Sequence, residues 1–212
     1  MPLQNRVTPE GDIVAAPERG TMFGNRGGCF HRADRQLGAR RWHSRQWICC
    51  VLAFKGRRRP VMAPGRYTEL FFLDEATALS AGHRPCFECR RLSAVQFATL
   101  WNATHDLPGR ASVATMDTQL HRERVGADGT KPVWSAAVTD LPDATVVRWP
   151  LVGTTTVGML LAGRLHPWSM AGYGRAFAVP AATVVEVLTP KSIVTVLGAG
   201  YVPVLHSTAL NA

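Results

Sequence analysis

Apolar and polar positions along the chain change character near its middle, with mixed strand and helix signals before residue 110 and mostly strand signals after it. The run Trp47-Ile48-Cys49-Cys50-Val51-Leu52-Ala53-Phe54 is aromatic and β-branched and predicts a strand. It ends at Lys55-Gly56 and an Arg57-Arg58-Arg59-Pro60 turn, with Val61-Met62 as a returning hairpin partner. Residues 67–72 read as a short strand or the start of a helix. Residues 74–81 read as a helix with acids in its first turn and Gly82 just past its end, and Pro85 bars any continuation. Leu92, Val95, Phe97, Leu100 and Trp101 recur at helical spacing and predict an amphipathic helix over about 92–103. Further on, 133–138, 144–149, 155–161 and 184–188 alternate as strands between Pro- and Gly-containing breaks, which predicts a small antiparallel sheet or partial barrel. Thr189-Pro190 ahead of Ile193, Val194 and Leu197 predicts one more helix, closed by Gly198 to Gly200.

The predicted class is α+β. A zinc-stabilised N-terminal half with a β-hairpin and two helices packs against a β-rich C-terminal half. Residues 1–28, rich in Gly, Pro and polar side chains, read as an extended arm; 29–110 form an Arg-rich part, and 111–212 the β-rich part. With 46% hydrophobic residues over 212 positions the chain can bury a real core. No stretch approaches the roughly 18 consecutive apolar residues of a bilayer-spanning helix, and the first residues lack a basic-then-apolar leader. The expectation is a soluble, cytoplasmic protein with no membrane partner.

Charge narrows the partner. Of 24 basic residues only Lys55, Lys131 and Lys191 are lysines, and the rest are arginines, suited to forked hydrogen bonds with phosphates and guanine edges. Over residues 19–66 twelve basic side chains face a single acid, Asp34. Such a segment repels itself unless an anion lies along it, and a phosphate backbone is the commonest such anion. DNA is the expected partner. The candidate contacts are Arg26, Arg40, Arg41, Arg45, Arg57, Arg58, Arg59 and Arg66, with Arg84, Arg90 and Arg124 further along. Trp42, Trp47 and Tyr67, interleaved with this charge, are candidate base-stacking rings. A purely solubilising basic face is the bland alternative.

The five cysteines are Cys29, Cys49, Cys50, Cys86 and Cys89; an odd count with an adjacent pair argues against a disulfide framework. Cys86-Phe87-Glu88-Cys89 is a C-x-x-C knuckle that can point two thiolates at one metal, and two further ligands would complete tetrahedral zinc. The stretch from Ala76 to Arg90, with its Ala-Gly-His-Arg-Pro-Cys-Phe-Glu-Cys core, resembles the C-terminal half of the Ada-type zinc-binding DNA domain. That resemblance implies that Cys86 and Cys89 are the last two ligands of a structural zinc ion and that the chain binds DNA. The upstream half departs from the family: His31 is present, but Arg35 stands where the second ligand would fall. Cys49 or Cys50 must fill the gap, and as strand neighbours they point to opposite faces. The expected set is His31, Cys50, Cys86 and Cys89, with Cys29 as substitute for His31.

No phosphate-binding loop, dinucleotide fingerprint, nucleophile elbow or His-Glu-x-x-His occurs. Glu69 sits directly before Leu70-Phe71-Phe72-Leu73, where partial desolvation suits it to proton transfer, although pairing with an Arg fits equally. Asp117, His121 and Arg124 fall at i, i+4 and i+7, one face of a helix, and form either an acid–base pair with a phosphate-binding Arg or a self-paired surface. Sparse, scattered acids disfavour a metal-dependent nuclease. A DNA glycosylase needs only a carboxylate, stacking rings and phosphate-holding arginines. The leading expectation is therefore a DNA-acting hydrolase that removes a damaged or modified base, with Glu69, Asp117 and His121 as catalytic candidates. The alternatives are a non-enzymatic Ada-like zinc protein or alkylation sensor, and a nuclease or RNA-processing protein.

Overall fold

Alternation in very short segments builds the first sheet. The computed structural model describes residues 1–57, 60–105, 111–151 and 154–210. Strands β1 (Gln4–Val7), β2 (Ile13–Ala15), β3 (Met22–Arg26), β4 (Trp47–Val51) and β5 (Leu70–Phe72) are followed by helix α1 (Glu75–Ser80) and strand β6 (Arg84–Pro85). They form one mixed sheet in the order β2-β1-β5-β3-β4-β6, parallel only at β1/β5 and β4/β6. Residues 1–28 are therefore not a free arm. Val7, Ile13 and Met22 point inward from three separate strands and are buried beside Cys49, Leu70 and Phe72, so the Gly and Pro positions mark the turns between strands too short for a periodicity reading. The strand at Trp47 stops at Val51, and Val61-Met62 form a turn rather than its hairpin partner; Met62 has φ 53° and is fully buried.

Helices α2 (Arg91–Thr104) and α3 (Val113–Arg124) come next. The chain then runs through β7 (Trp134–Ala137), β8 (Val146–Leu151), β9 (Thr154–Leu161), β10 (Arg164–Ser169), β11 (Gly172–Tyr173), β12 (Phe177–Ala178) and β13 (Val184–Val187) before α4 (Lys191–Gly198). These strands make an antiparallel sheet in the order β11-β10-β9-β8-β13-β7, with β12 also on β10. The protein is α+β, as the pattern of elements predicts, and no helix among the described residues is long and apolar enough to cross a membrane.

Helix α1 touches both sheets. All six residues of α1 are buried; Ala78 packs under the first sheet, while Ala76 and Leu79 join Phe97, Trp101, Leu120, Val146 and Ile193 in the main core. Asp74 caps α1, its Oδ1 accepting from the Thr77 backbone N–H at 2.9 Å, and Gly82 ends the turn at φ 83°. A side chain at Gly82 would meet the stem of Arg124, so glycine is required there twice over.

Candidate metal and cavity site

Register places one face of the first sheet toward the core and leaves the other partly open. Met22, Gly24 and Arg26 are buried on β3, whereas Phe23 and Asn25 between them are half-buried. Phe23 pairs with Cys50 on β4 and with Phe71 on β5, and Asn25 pairs with Ile48. These residues line a cavity of about 490 Å³, and Tyr67, Glu69, Arg19 and Arg57 line it as well. The sequence reading singled out Tyr67 and Glu69 but missed Phe23, Asn25 and Ile48, whose signal is the strand register itself.

Cys50, Cys86 and Cys89 meet on the wall of this cavity, their sulfurs all within 4.8 Å of one another, close enough to hold a metal ion. Strand alternation selects Cys50; its neighbour Cys49 points into the core and is fully buried, with burial pushing its thiol pKa upward. Cys86 arrives from β6, which pairs with β4 through Cys49 and Pro85, and the Arg90 N–H donates to the Cys86 carbonyl at 3.0 Å to close the knuckle at the start of α2. Hydrogen bonds from the Cys50 thiol lower Cys86 to about 5 and lower Cys89 as well, while Cys50, as donor, is pushed up. The three sulfurs are thus hydrogen-bonded to one another, with Cys50 donating toward Cys86 and Cys89. Cysteine sulfurs so spaced are the donor chemistry that soft and borderline divalent ions prefer.

His31 does not join them. Its ring is buried, with Nδ1 2.8 Å from Thr68 Oγ1 and Nε2 3.3 Å from the Ala63 carbonyl. Cys29 lies beside it, 3.7 Å from Nδ1, so both upstream candidates stand apart from the sulfurs. Among the described residues no fourth Cys, His, Asp or Glu completes the group.

No family model, curated protein or solved structure matches this chain.

The remaining candidates separate into two sets. Glu69 is buried at the cavity, its Oε2 accepting from the Met62 N–H at 2.7 Å. Asp117 lies elsewhere, with both oxygens taken by Arg84 at 2.9 and 2.8 Å in a buried bidentate pair. The face that carries Asp117, His121 and Arg124 is real, but it turns inward. His121 lies edge-on to Trp42 and Trp47, and burial holds its pKa down. Of the arginines expected on DNA, Arg40, Arg41, Arg45, Arg57 and Arg66 are exposed, and Arg58 and Arg59 lie outside the described residues. Arg26, Arg84, Arg90 and Arg124 are buried. Arg84 and Arg90 are structural ion-pair partners, because Asp117 and Glu75 are brought to them by the fold. Of the rings, Trp47 is buried against the guanidiniums of Arg26 and Arg124, at 3.9 and 4.2 Å, while Trp42 and Tyr67 stay half-exposed.

Lys131 is a second residue that the sequence did not single out. Its ammonium donates to the Pro9 and Ser80 carbonyls at 2.6 Å, and burial depresses its pKa to about 7. A lysine with a depressed folded pKa weakens the fold below that pKa, and the penalty lifts as pH rises toward the unfolded value. Lys131→Met is therefore expected to gain on the wild type more at pH 6 than at pH 9, the gap narrowing by on the order of 1 kcal/mol. Urea unfolding midpoints of both proteins at the two pH values check this.

Proposed function

We propose that the chain is a zinc-dependent hydrolase that removes a modified base from DNA, its reacting groups gathered at the cavity of the first sheet. The observation that carries this reading is the shared wall: three metal-competent sulfurs and a buried carboxylate open onto one cavity large enough for a heterocycle. Cys50, Cys86 and Cys89 would hold the zinc ion, which when bound would supply a Lewis acid on the cavity wall. This replaces the expectation of a four-ligand structural zinc, and the Ada-type resemblance of residues 76–90 supports the two knuckle ligands.

The chain's own residues supply the rest. Phe23, Phe71 and Tyr67, each about 6.1 Å from its ring neighbour, offer aromatic faces for an extruded base. Arg19, over the Phe71 ring at 4.3 Å, and the exposed Arg57, which pairs with Glu88 at 2.7 Å, are the cavity's cations that would hold flanking phosphates. Glu69 accepts a proton from water as the water oxygen bonds to the sugar carbon and the carbon–nitrogen bond to the base breaks. The departing base takes up one proton, so the net reaction consumes one water.

Two measurements test the proposal. Protein purified without added metal is expected to carry about one zinc per chain, and Cys86→Ser less than about a tenth of that, by mass spectrometry. Incubation with duplexes bearing a panel of modified bases is expected to leave abasic sites on at least one. A metal-free native protein, or no abasic product on any duplex, would sink it.

A second reading, a non-enzymatic zinc protein that binds DNA, is favoured by a separate feature. Arg32, Arg35, Arg40, Arg45, Lys55 and Arg66 are all exposed within one stretch of chain. Tight, salt-sensitive binding without product supports that reading.

A further inference from the structure

On the core-facing side of the same sheet lies a second cavity, of about 420 Å³, with different chemistry. We infer that it is a binding site for a dianionic phosphate group carried by a phosphate monoester. It is separate from the cysteine cavity: Arg26 and Trp47 line the new one, while their chain neighbours Asn25 and Ile48 line the other.

The charge lining this cavity is unbalanced. Arg26, Arg41, Arg124, Lys131 and Arg148 face it against two acids, Glu10 and Asp12. Arg148 is matched by Glu186 at 2.6 Å, which leaves three arginines and Lys131 for two acids; a bound anion favours the protonated lysine, and with it charged the cavity calls for a ligand of charge about −2. Asp117 and Glu123 also approach Arg124, but Asp117 is held by Arg84, and Glu123 accepts from Ser192 and Gln119.

How the buried arginines are partnered makes the same point. Arg84 and Arg90 each grip a carboxylate with two hydrogen bonds. Arg26 and Arg124 are buried as deeply, 2% and 4% exposed, yet among the described residues their contacts are neutral. Arg26 donates to the Gly11 carbonyl at 2.8 Å, the Arg41 carbonyl at 3.3 Å and His83 Nε2 at 3.4 Å. Arg124 donates to the carbonyls of Gly82 and Arg45, and its Nε, fully covered, has no acceptor among the described residues. Carbonyls satisfy N–H groups but do not cancel a buried charge. A guanidinium has five donors, so both retain N–H groups for an anion. Stacking on the Trp47 indole, at 3.9 and 4.2 Å from its centre, fixes the two guanidiniums in place before any ligand arrives. A phosphate monoester provides the missing double charge and the acceptor-rich surface that arginine forks match.

The test is calorimetric titration of the intact protein with inorganic phosphate, with AMP, and with an oligonucleotide carrying or lacking a 5′-phosphate. Saturable binding of phosphate and of at least one monoester is expected, weakened tenfold or more in Arg41→Gln. Arg41 is exposed, so that variant keeps its fold; Lys131→Met is a second charge-removing variant, with circular dichroism as the folding check. Preference for AMP over the phosphorylated strand identifies a small-molecule ligand, and the reverse identifies a strand end. Absence of saturable phosphate binding in the wild type, or unchanged affinity in both variants, overturns the inference. Neither outcome depends on zinc or on base release.

Discussion

Replacing Glu69 with Gln is expected to slow base release about 10²- to 10⁴-fold, the usual worth of a positioned proton acceptor, while zinc content and DNA affinity stay at wild-type levels. The substitution is close to isosteric. A Gln oxygen can still accept from the Met62 N–H that now reaches Oε2 at 2.7 Å, so the turn around Met62 keeps its anchor. What disappears is the capacity to take a proton at the cavity that the cysteines also line. Asp117→Asn provides the contrast. It weakens the buried pair with Arg84, so its cost falls on stability, measured as a lower urea midpoint, and the rate per folded molecule is unchanged. Initial rates of abasic-site formation, normalised to folded protein, separate the two. Equal rates for Glu69→Gln and wild type would remove the carboxylate from the mechanism.

The contrast between those carboxylates also shows what a sequence can and cannot reveal. Helices α2 and α4 and strands β7, β8, β9 and β13 were legible from apolar recurrence between Pro- and Gly-containing breaks, whereas β10, β11 and β12 were not read as strands. The cysteine trio was legible for similarly local reasons: a C-x-x-C knuckle in a Gly-x-Arg-Pro context, and an adjacent Cys pair that alternation splits between two faces. The strands of residues 1–28 were not, since segments of three to five residues interrupted by Asn, Gly and Arg carry no period; they are strands because the sheet pairs them. The roles of the arginines were least legible of all. Arg84 finds Asp117 33 positions away and Arg124 finds a carbonyl 79 away, so residues that read as one basic stripe divide into exposed, ion-paired and cavity-lining groups only in three dimensions. His31 failed as a metal ligand for the same reason: Thr68 and Ala63, both distant in sequence, occupy its ring nitrogens.

The largest loss of stability is expected at Glu75. Its carboxylate is fully buried and accepts four hydrogen bonds: Arg90 at 2.6 and 2.5 Å, the Tyr201 hydroxyl at 2.6 Å and the Val204 N–H at 2.8 Å. Two distant parts of the chain, Arg90 and the 201–204 segment, thus converge on one side chain at the start of α1. Glu75→Ala leaves the Arg90 charge buried without a partner and strands two further donors, a combination that costs about 3–5 kcal/mol. The exposed pair Arg148–Glu186 sets the opposite scale, and Glu186→Ala is expected to cost less than about 1 kcal/mol. Because the unpaired charge is the main penalty, the double variant Glu75→Met/Arg90→Met is expected to be more stable than Glu75→Ala alone. The loss extends to the metal site, since Arg90 directly follows Cys89 and its N–H holds the Cys86 carbonyl at 3.0 Å. Urea unfolding and zinc affinity measured on the same variants are therefore expected to fall together in Glu75→Ala. A Glu75→Ala protein within about 1 kcal/mol of wild type would mean that the convergence of α1, α2 and the C-terminal segment does not hold the knuckle in place.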